Sequence, residues 1–555
     1  MRKSIKKMVN FWREKSFIAS IVVFLTAFGL LSLFYLNTPG TLGIGDQYFH
    51  YGFAEMVKKK GFSAADSFDH IYLSPVAKED KTRQIELFNV ALIPFTFFEN
   101  SLLGLKLSVI FWASTVIGIL YYVLRKSKVP YASLFTLIFL MSFFPIFRLL
   151  IGRGLVLVFG LLLLEILLVS KKKYSAFFFV AFFHVLWHQS SFFMIPFIAV
   201  AGEVLRYITH KEFSKKMIFL SILAVILGMA PQPNFPQNIV DRTSSLVNLQ
   251  SEVVQESDIA RVEGQELHTL EPSKLINYFP YLLLLNILAY SFVIYSYIKN
   301  KESGRFKNED HLFYLVFLIN LASLFGVMVI SGRFVDFFII TGILLSALCV
   351  KRIFRDTGKC FDSKMRKFVI AGVYIAVIFF VVNTLIDARV DSAKTELETK
   401  KAAAQWVFNN SDQGDKVFLE GWSQFPIQFF YNKKVKYSMG MEPMTLKKYD
   451  ENLFWKWYNM HINNIYCQEP KNCTQKTDQI NSDMRDMTNE EKNAFRKENS
   501  QKMIQSIVND FQADFVFSKN KTFNKTMLLN EDMFENHQIF ETRRGSQFFV
   551  GKIRD

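Results

Sequence analysis

The sequence predicts a polytopic α-helical membrane protein with a cytoplasmic N-terminus and a C-terminal extracytoplasmic α/β or α+β domain. Of its 555 residues, 51% are hydrophobic and 60 are Phe. About 11 apolar runs approach the ~20 residues that a helix needs to cross a bilayer. Because the hydrocarbon core holds no water, these runs satisfy their backbone groups only as helices. The basic links that separate the runs then set their orientation.

The predicted spans begin after a basic segment, residues 1–15, and continue to residue 386. No cleavage site is evident after the first run, so we expect it to be retained in the protein. A run of about 12 residues, 87–98, is too short to span and predicts an interfacial or re-entrant helix. The predicted spans are 17–36, 102–124, 129–147, 151–170, 175–190, 191–207, 217–231, 278–298, 311–330, 334–350 and 368–386.

The links that this order places on the side of the N-terminus are all basic. Such an excess of Lys and Arg marks cytoplasmic loops. The sequence therefore predicts a multi-pass protein of the plasma membrane, with two large outer loops, 37–101 and 232–277. It also places the C-terminal residues outside the cytoplasm. The basic links are 125–128, 171–173, 206–216, 299–307 and 351–367.

The net charge of +16 does not indicate a nucleic-acid partner. Residues 387–555 carry 25 basic and 24 acidic side chains, so a charge of +15 lies in the first 386 residues. Orientation in the membrane explains this excess. The same division predicts two domains, a transmembrane domain over 1–386 and an extracytoplasmic soluble domain over 387–555.

The C-terminal domain has the pattern of a small mixed fold. A helix is expected over 394–408 and a surface helix over 476–502. Short apolar alternations predict strands at 416–420, 428–431, 434–437, 514–518 and 546–552. Cys467 and Cys473 are its only cysteines, and outside the cytoplasm they are candidates for a disulfide; two unrelated thiols are the alternative.

Charged and titratable residues cluster at the predicted outer ends of the spans. Asp46 and His50 follow the first span, one helical turn apart. Ionisable residues are costly in a membrane and are usually functional or paired. Further members of this group are Arg148, Arg153, His184, His188, Arg333 and Asp336, whereas Glu165 lies nearer the inner side.

This combination suits a phosphorylated substrate. Arginine stays charged and binds phosphate oxygens with a two-pronged guanidinium. A carboxylate beside it suits a general base or a ligand for a divalent cation. The predicted chemistry is group transfer from a polyprenyl phosphate or diphosphate.

Each residue also has a structural explanation. Asp46 follows Gly45 and could cap a helix that runs to Lys60, while His50 could be interfacial. Arg333 and Asp336 could pair with each other at i and i+3. Arg148 and Arg153 could instead snorkel to lipid headgroups. His184 and His188 could fill packing positions.

These features resemble the GT-C glycosyltransferase superfamily, which includes the oligosaccharyltransferase catalytic subunits and the protein mannosyltransferases. Asp46, Tyr48, Phe49 and His50 match the acidic and aromatic segment of the first external loop in that superfamily. Three more segments are similar to GT-C-like membrane proteins of bacteria and archaea: I-E-L-F-N-V-A-L-I-P-F-T-F-F at 85–98, W-S-Q-F-P-I-Q-F-F-Y-N at 422–432 and G-M-E-P at 440–443.

The resemblance implies an inverting transfer from a polyprenyl-linked sugar donor to an acceptor it does not identify. Asp46 would deprotonate or orient the acceptor, or bind Mg²⁺ or Mn²⁺, and Arg333 would hold the departing phosphate. The second acidic motif of the oligosaccharyltransferases is missing between spans three and four, where Arg148 and Arg153 stand. Their W-W-D-Y-G motif is also missing, so asparagine glycosylation is not predicted.

Two other functions compete with this one. An O-antigen or capsule polymerase also combines many spans with external Arg and His, and residues 153–191 fit it. A transporter or a non-catalytic envelope assembly protein is the third reading. Paired spans broken by Gly or Pro at the midplane, which transporters often carry, are not evident in the sequence.

Overall fold

A computed structural model describes most of the chain. It covers residues 2–43, 45–64, 68–74, 85–232, 235–240, 243, 268–303, 310–356, 363–394, 396–440, 443–473, 487–542 and 545–554. These residues form two compact units, which are treated separately. The first contains those within 1–38 and 86–392, and the second those within 39–85 and 393–555.

Helices dominate the chain up to residue 393. In chain order they are α1 Arg2–Tyr35, α2 Asp46–Lys60, α3 Leu87–Ala91, α4 Ser101–Lys126, α5 Ala132–Phe139, α6 Phe143–Leu150, α7 Leu155–Ser170, α8 Tyr174–Trp187, α9 Met194–His210, α10 Lys215–Met229, α11 Pro272–Tyr278, α12 Pro280–Ser303, α13 Asp310–Phe325, α14 Val335–Asp356 and α15 Ser363–Ala393. All but α2 belong to the first unit.

The remaining elements belong to the second unit. They are α16 Leu397–Asn410, β1 Lys416–Leu419, α17 Phe425–Tyr431, β2 Lys436–Tyr437, α18 Met444–Tyr449, α19 Glu451–Tyr458, α20 Asn489–Asn509, β3 Phe515–Ser518, α21 Lys521–Met527, β4 Phe534–Glu541 and β5 Gln547–Ile553. The predicted polytopic helical fold with a small C-terminal α/β or α+β domain is thus confirmed.

Every predicted span contains a helix, but these helices differ in length. Among the described residues seven segments are long and apolar enough to cross a membrane, or eight if α5 and α6 are counted as one. These two helices meet at 80°, and Pro145 lies in the first turn of α6, where a missing N–H is tolerated. The shorter helices α7 and α8 have 16 and 14 residues. The protein is an integral multi-pass membrane protein, while the count of eleven and the orientation stay predictions.

Local signals set where the helices begin and end. Asn100 caps α4, because its Oδ1 accepts from the backbone N–H of Leu102 at 3.1 Å and of Leu103 at 3.2 Å. Lys106, buried on α4, donates to the Leu36 carbonyl at 3.3 Å and to the Thr38 hydroxyl at 3.2 Å. It also contacts the Thr38 carbonyl, so it satisfies two carbonyl groups just beyond the end of α1, where helical N–H donors are lacking.

The second unit is built on a five-stranded sheet of order β2-β1-β3-β5-β4. The first three strands are parallel, whereas β5 runs antiparallel to both of its neighbours. The predicted strand at 428–431 is wrong, since these residues belong to helix α17. Pro426 favours a helix start at this place, and four alternating residues are too few to distinguish the two structures. Strand β4 was not predicted.

The first outer loop is part of this second unit. Phe49 of α2 packs against Phe425 and Phe429 of α17, with ring centres 6.0 and 5.7 Å apart. Ile71 forms a parallel bridge with Tyr437 of β2. The sequence assigned the whole loop 37–101 to the transmembrane domain, and the structure groups residues 39–85 with the C-terminal residues instead. Of the second predicted outer loop, 232–277, residues 244–267 lie outside the described part of the chain.

The cysteine pair also lies in this unit. Cys467 and Cys473 are joined by a disulfide, and their Cα atoms are 6.1 Å apart. Cys473 is fully buried. The bridge closes the segment that follows α19.

Candidate active site

Asp46 is held at the start of α2 by its neighbours. The helix begins at Asp46, so Gly45 occupies the N-cap position. The Gln47 amide donates to the Thr41 hydroxyl at 2.8 Å and to the Gly43 carbonyl at 2.9 Å, and Tyr48 shares a 2.7 Å hydrogen bond with Thr41. These buried bonds fix the preceding loop on the helix. Asp46 is therefore a half-buried residue of the first turn, where a negative charge is favoured by the helix dipole.

His50 lies one turn further along α2. It is half-buried, and its ring meets the ring of Phe49 edge to face at 5.4 Å. Close packing holds this helix, because a Cβ added at Gly52 would lie 3.0 Å from the Phe429 ring. Glu55 pairs with Lys433 at 2.8 Å. The aspartate and the histidine thus occupy a rigid helix of the second unit.

Arg148 and Asp336 form a buried ion pair in the first unit. Arg148 Nε donates to Asp336 Oδ1 at 2.7 Å, and Nη2 donates to Oδ2, so the contact is bidentate. Their side chains are 7% and 0% exposed. Arg148 is in the last turn of α6 and Asp336 in the first turn of α14, where each charge suits its helix dipole. Arg148 therefore does not snorkel, and Asp336 has a partner other than Arg333.

Arg153 and Arg333 are half-buried beside these structural groups. Arg153 stands in the link that joins α6 to α7. Arg333 belongs to a short 3₁₀ turn, Gly332–Phe334, just before α14. The Ser331 hydroxyl accepts from the Arg333 backbone N–H at 3.3 Å and fixes this turn.

His188 meets a carboxylate that the sequence analysis did not select. Glu86 Oε2 lies 3.2 Å from His188 Nδ1, and Glu86 Oε1 accepts from the Gln189 backbone N–H at 3.4 Å. A Cβ at Gly154 would lie 3.3 Å from His188 Nδ1, which places the residue after Arg153 against the same imidazole. The only signal was the acid in I-E-L-F-N, more than 100 residues from the histidine.

His184 belongs to a fully buried chain of polar groups. Its Nδ1 lies 2.8 Å from Glu165 Oε1, and its Nε2 lies 2.8 Å from Ser191 Oγ. Ser191 Oγ also donates to the His188 carbonyl at 3.1 Å. The hydroxyl proton of Ser191 is therefore used in that bond, and His184 Nε2 must donate to Ser191 Oγ. One further proton then lies between Nδ1 and the Glu165 carboxyl, so His184 fills a satisfied packing position.

Beside this chain lies a side chain without partners. Gln189 is fully buried, and neither its amide oxygen nor its nitrogen has a hydrogen-bond partner among the residues that the structure describes. Unsatisfied buried amides are rare and need an explanation. Within the same described residues, no three His, Cys, Asp or Glu side chains form a group that could hold a metal.

A third carboxylate–imidazole pair lies at the C-terminal sheet, and the sequence did not predict it. Glu420 follows β1 directly and pairs with His461 Nδ1. The His461 ring stacks on Trp457 at 5.0 Å, and the Ser518 hydroxyl at the end of β3 reaches Glu420 at 3.5 Å. The carboxyl ends of these two parallel strands form the switch point of the sheet, where ligands often bind. An acid directly after a buried strand was the available signal.

The chain shares its fold with a solved membrane glycosyltransferase. The apo crystal structure of ArnT from Cupriavidus metallidurans matches with a TM-score of 0.53 and 10% identity, over 98% of this chain and 98% of that chain. The structure of the same protein bound to undecaprenyl phosphate matches with a TM-score of 0.54 and 8% identity, over 97% and 98%. ArnT has the GT-C fold, so the predicted GT-C resemblance is confirmed. Comparison with curated protein sequences gives no significant match.

A protein-family comparison covers the helical part of the chain. The EpsG family matches residues 95–395, which is more than half of the sequence. The match includes α4 to α15 and therefore the Arg148–Asp336 pair and His188. The chain belongs to the EpsG family.

Proposed function

We propose that this protein is a membrane glycosyltransferase that transfers a sugar from a polyprenyl-phosphate-linked donor to an acceptor on the extracytoplasmic face. The observation that carries the proposal is the GT-C fold over nearly the whole chain, combined with membership of the EpsG family. The donor class is supported by ArnT, whose structure contains undecaprenyl phosphate. The bilayer and the lipid-linked donor are thus the partners that we propose.

We assign a role to each residue as part of this proposal. Asp46 acts as the base that takes the proton of the acceptor hydroxyl, and His50 assists it one turn away. Arg153 and Arg333 hold the phosphate, since they are half-buried and the two-pronged guanidinium matches the geometry of phosphate oxygens. Arg148 has both prongs of its guanidinium on Asp336, so these two residues position α6 against α14. Glu86 orients the imidazole of His188, which we also assign to substrate binding.

The proposed reaction is a single displacement. The acceptor oxygen forms a bond to the anomeric carbon while the bond from that carbon to the phosphate oxygen breaks. The acceptor proton goes to Asp46, and the electron pair of the broken bond leaves with the polyprenyl phosphate. Positive guanidinium groups stabilise the charge that develops on this leaving group.

The experiment is transfer of radiolabelled sugar from total polyprenyl-linked donors by the purified full-length protein. We expect Asp46→Asn to lower the rate about 100-fold or more, the usual contribution of a positioned base. Asp69→Asn is the matched control, since it removes an exposed carboxylate of the same unit. Equal transfer by the wild type and Asp46→Asn would refute the assignment of Asp46.

A second pair of variants tests the phosphate site. Arg333→Lys keeps the charge but loses two-pronged binding, and we expect about tenfold weaker use of the donor. Arg125→Lys, an exposed arginine in the last turn of α4, is the control. Parallel reactions with EDTA, Mg²⁺ or Mn²⁺ show whether a metal is required.

The alternative is a polysaccharide polymerase, favoured by the EpsG family match, which is a polymerase-like family. It uses the same donor chemistry, but its acceptor is itself a lipid-linked glycan. Chain-length analysis of the products separates the two functions. A ladder of repeating units would identify the polymerase, and a single added sugar would identify the simple transferase.

A further inference from the structure

The opposite end of the helical unit contains a cavity of about 520 Å³. It lies where α4, α7 and α9 end and where α13 begins, the end that the charge pattern predicts to face the cytoplasm. None of the residues discussed for the active site lines it. The lining residues include Lys126, Lys128, Lys171, Lys172, Lys173, Arg206, His210, Glu212, His311 and Lys351.

Positive charge is in large excess around this cavity. Among the described lining residues, seven Lys or Arg side chains stand against one carboxylate, Glu212, which pairs with Lys172. A second carboxylate, Glu203, is fully buried, does not line the cavity and pairs with Arg206. Seven positive groups against two carboxylates leave an excess of five positive charges. Desolvation and then the charges of neighbouring lysines, Lys126 first, lower the pKa of Lys171.

Helix dipoles do not explain this excess. Three helix C-termini meet here, and each carries about half a negative charge, or roughly −1.5 in total. One lysine serves a terminus directly, because Lys171 Nζ donates to the Lys126 carbonyl at 3.2 Å. The remaining positive charge still exceeds what the helix ends can neutralise.

A buried imidazole supplies a second, independent observation. His311 lines the cavity and is only 3% exposed. Its Nε2 donates to the Gly202 carbonyl at 2.9 Å, whereas its buried Nδ1 has no hydrogen-bond partner among the described residues. An unsatisfied buried polar atom of this kind is rare in a folded protein, so the wall of the cavity is unusually polar at His311.

We propose that this basic cavity binds a phosphate-bearing anion. Its volume is within the range of small-molecule sites and leaves room for more than a single phosphate. The excess charge suits a ligand with two or more negative charges, such as a diphosphate or an anionic lipid headgroup. This site is separate from the proposed transferase site, and neither proposal depends on the other.

The test is calorimetric titration of the full-length protein in neutral nanodiscs with pyrophosphate, against chloride at the same ionic strength. We expect saturable binding that Lys171→Gln/Lys173→Gln weakens about tenfold or more, because charge-assisted hydrogen bonds are lost. The control is Lys58→Gln/Lys59→Gln, the same charge change on exposed lysines of α2. Absence of saturable binding, or an equal loss in the control, would overturn the proposal.

Two further arms complete the design. Nanodiscs that contain cardiolipin identify the source, since cardiolipin displaces pyrophosphate if the natural occupant is a lipid headgroup and leaves its binding unchanged if the occupant is soluble. Acylation of lysines in the wild-type protein avoids dependence on a folded variant. Pyrophosphate should slow the labelling of Lys171 and Lys173 but not of Lys58 and Lys59, and unchanged labelling at all four would contradict the proposal.

Discussion

The two ends of the helical unit differ in how completely their charged side chains are paired. At one end, Arg148 pairs with Asp336 and His188 with Glu86, and each contact joins residues more than 100 positions apart in the sequence. At the other end, neighbouring links contribute lysines to one cavity with few carboxylates.

The difference shows what a charge at a helix end can mean. Matched charges with little exposure are costly to bury and remain only where their geometry is good. Such pairs hold neighbouring helices in register. A cluster of one sign repels itself and becomes favourable when an anion binds. The same apolar helices thus have one end that buried ion pairs hold in place and one end where the binding of an anion relieves charge repulsion.

The largest expected effect comes from breaking the buried pair. Arg148→Ala leaves Asp336 buried without its partner, so we expect the free energy of unfolding to fall by about 3–5 kcal/mol. Replacing both residues, Arg148→Met with Asp336→Leu, should recover most of this loss. Unfolding of the purified protein in detergent measures it, with Arg125→Ala as the exposed control. A single variant as stable as the wild type would show that the two ends do not differ in this respect.

A smaller effect is expected for the polar chain of His184. Glu165→Gln keeps the shape but removes the charge-assisted hydrogen bond, which we expect to cost about 1–3 kcal/mol. Glu99→Gln, an exposed acid just before α4, should change nothing measurable. The same unfolding measurement applies, and a loss no larger than in Glu99→Gln would contradict a stabilising role for the contact between Glu165 and His184.

The smallest effect should come from the basic end. The Lys172–Glu212 pair is exposed, so Glu212→Gln should leave stability unchanged. Removing the one lining carboxylate should instead strengthen pyrophosphate binding about threefold at low salt, and this gain should disappear at high salt. Titration at two salt concentrations measures both. Weaker binding in this variant would show that Glu212 contributes to the site rather than opposing it.

The sequence predicted the helices and indicated several charged residues that the structure pairs, but it did not indicate their partners. Arg148 and Asp336 were each selected because charge is costly in a span, yet their pairing joins residues 188 apart. The i and i+3 rule pointed to Arg333, because only local spacing is visible in one sequence. Glu86 lies in the segment 85–98, and nothing local marks it as a partner of His188.

The basic links predicted an orientation for the helices, but they gave no sign of the cavity that they line. Lysines at 125–128 and 171–173 satisfy the orientation rule by their number alone. Whether they face separate patches of water or one concave space depends on how α4, α7 and α9 end relative to each other. That information is three-dimensional, and composition does not contain it.

The pairing of Glu55 with Lys433 has a consequence for how the protein is made. These residues are 378 positions apart, so at 5–20 residues per second the ribosome adds the second about 20–75 s after the first. During that interval the aromatic face of α2 lacks the chain segment that covers it. The aromatic face of this helix must therefore be shielded from aggregation until most of the protein has been synthesised. A chain that ends before α17 would lack the covering segment permanently.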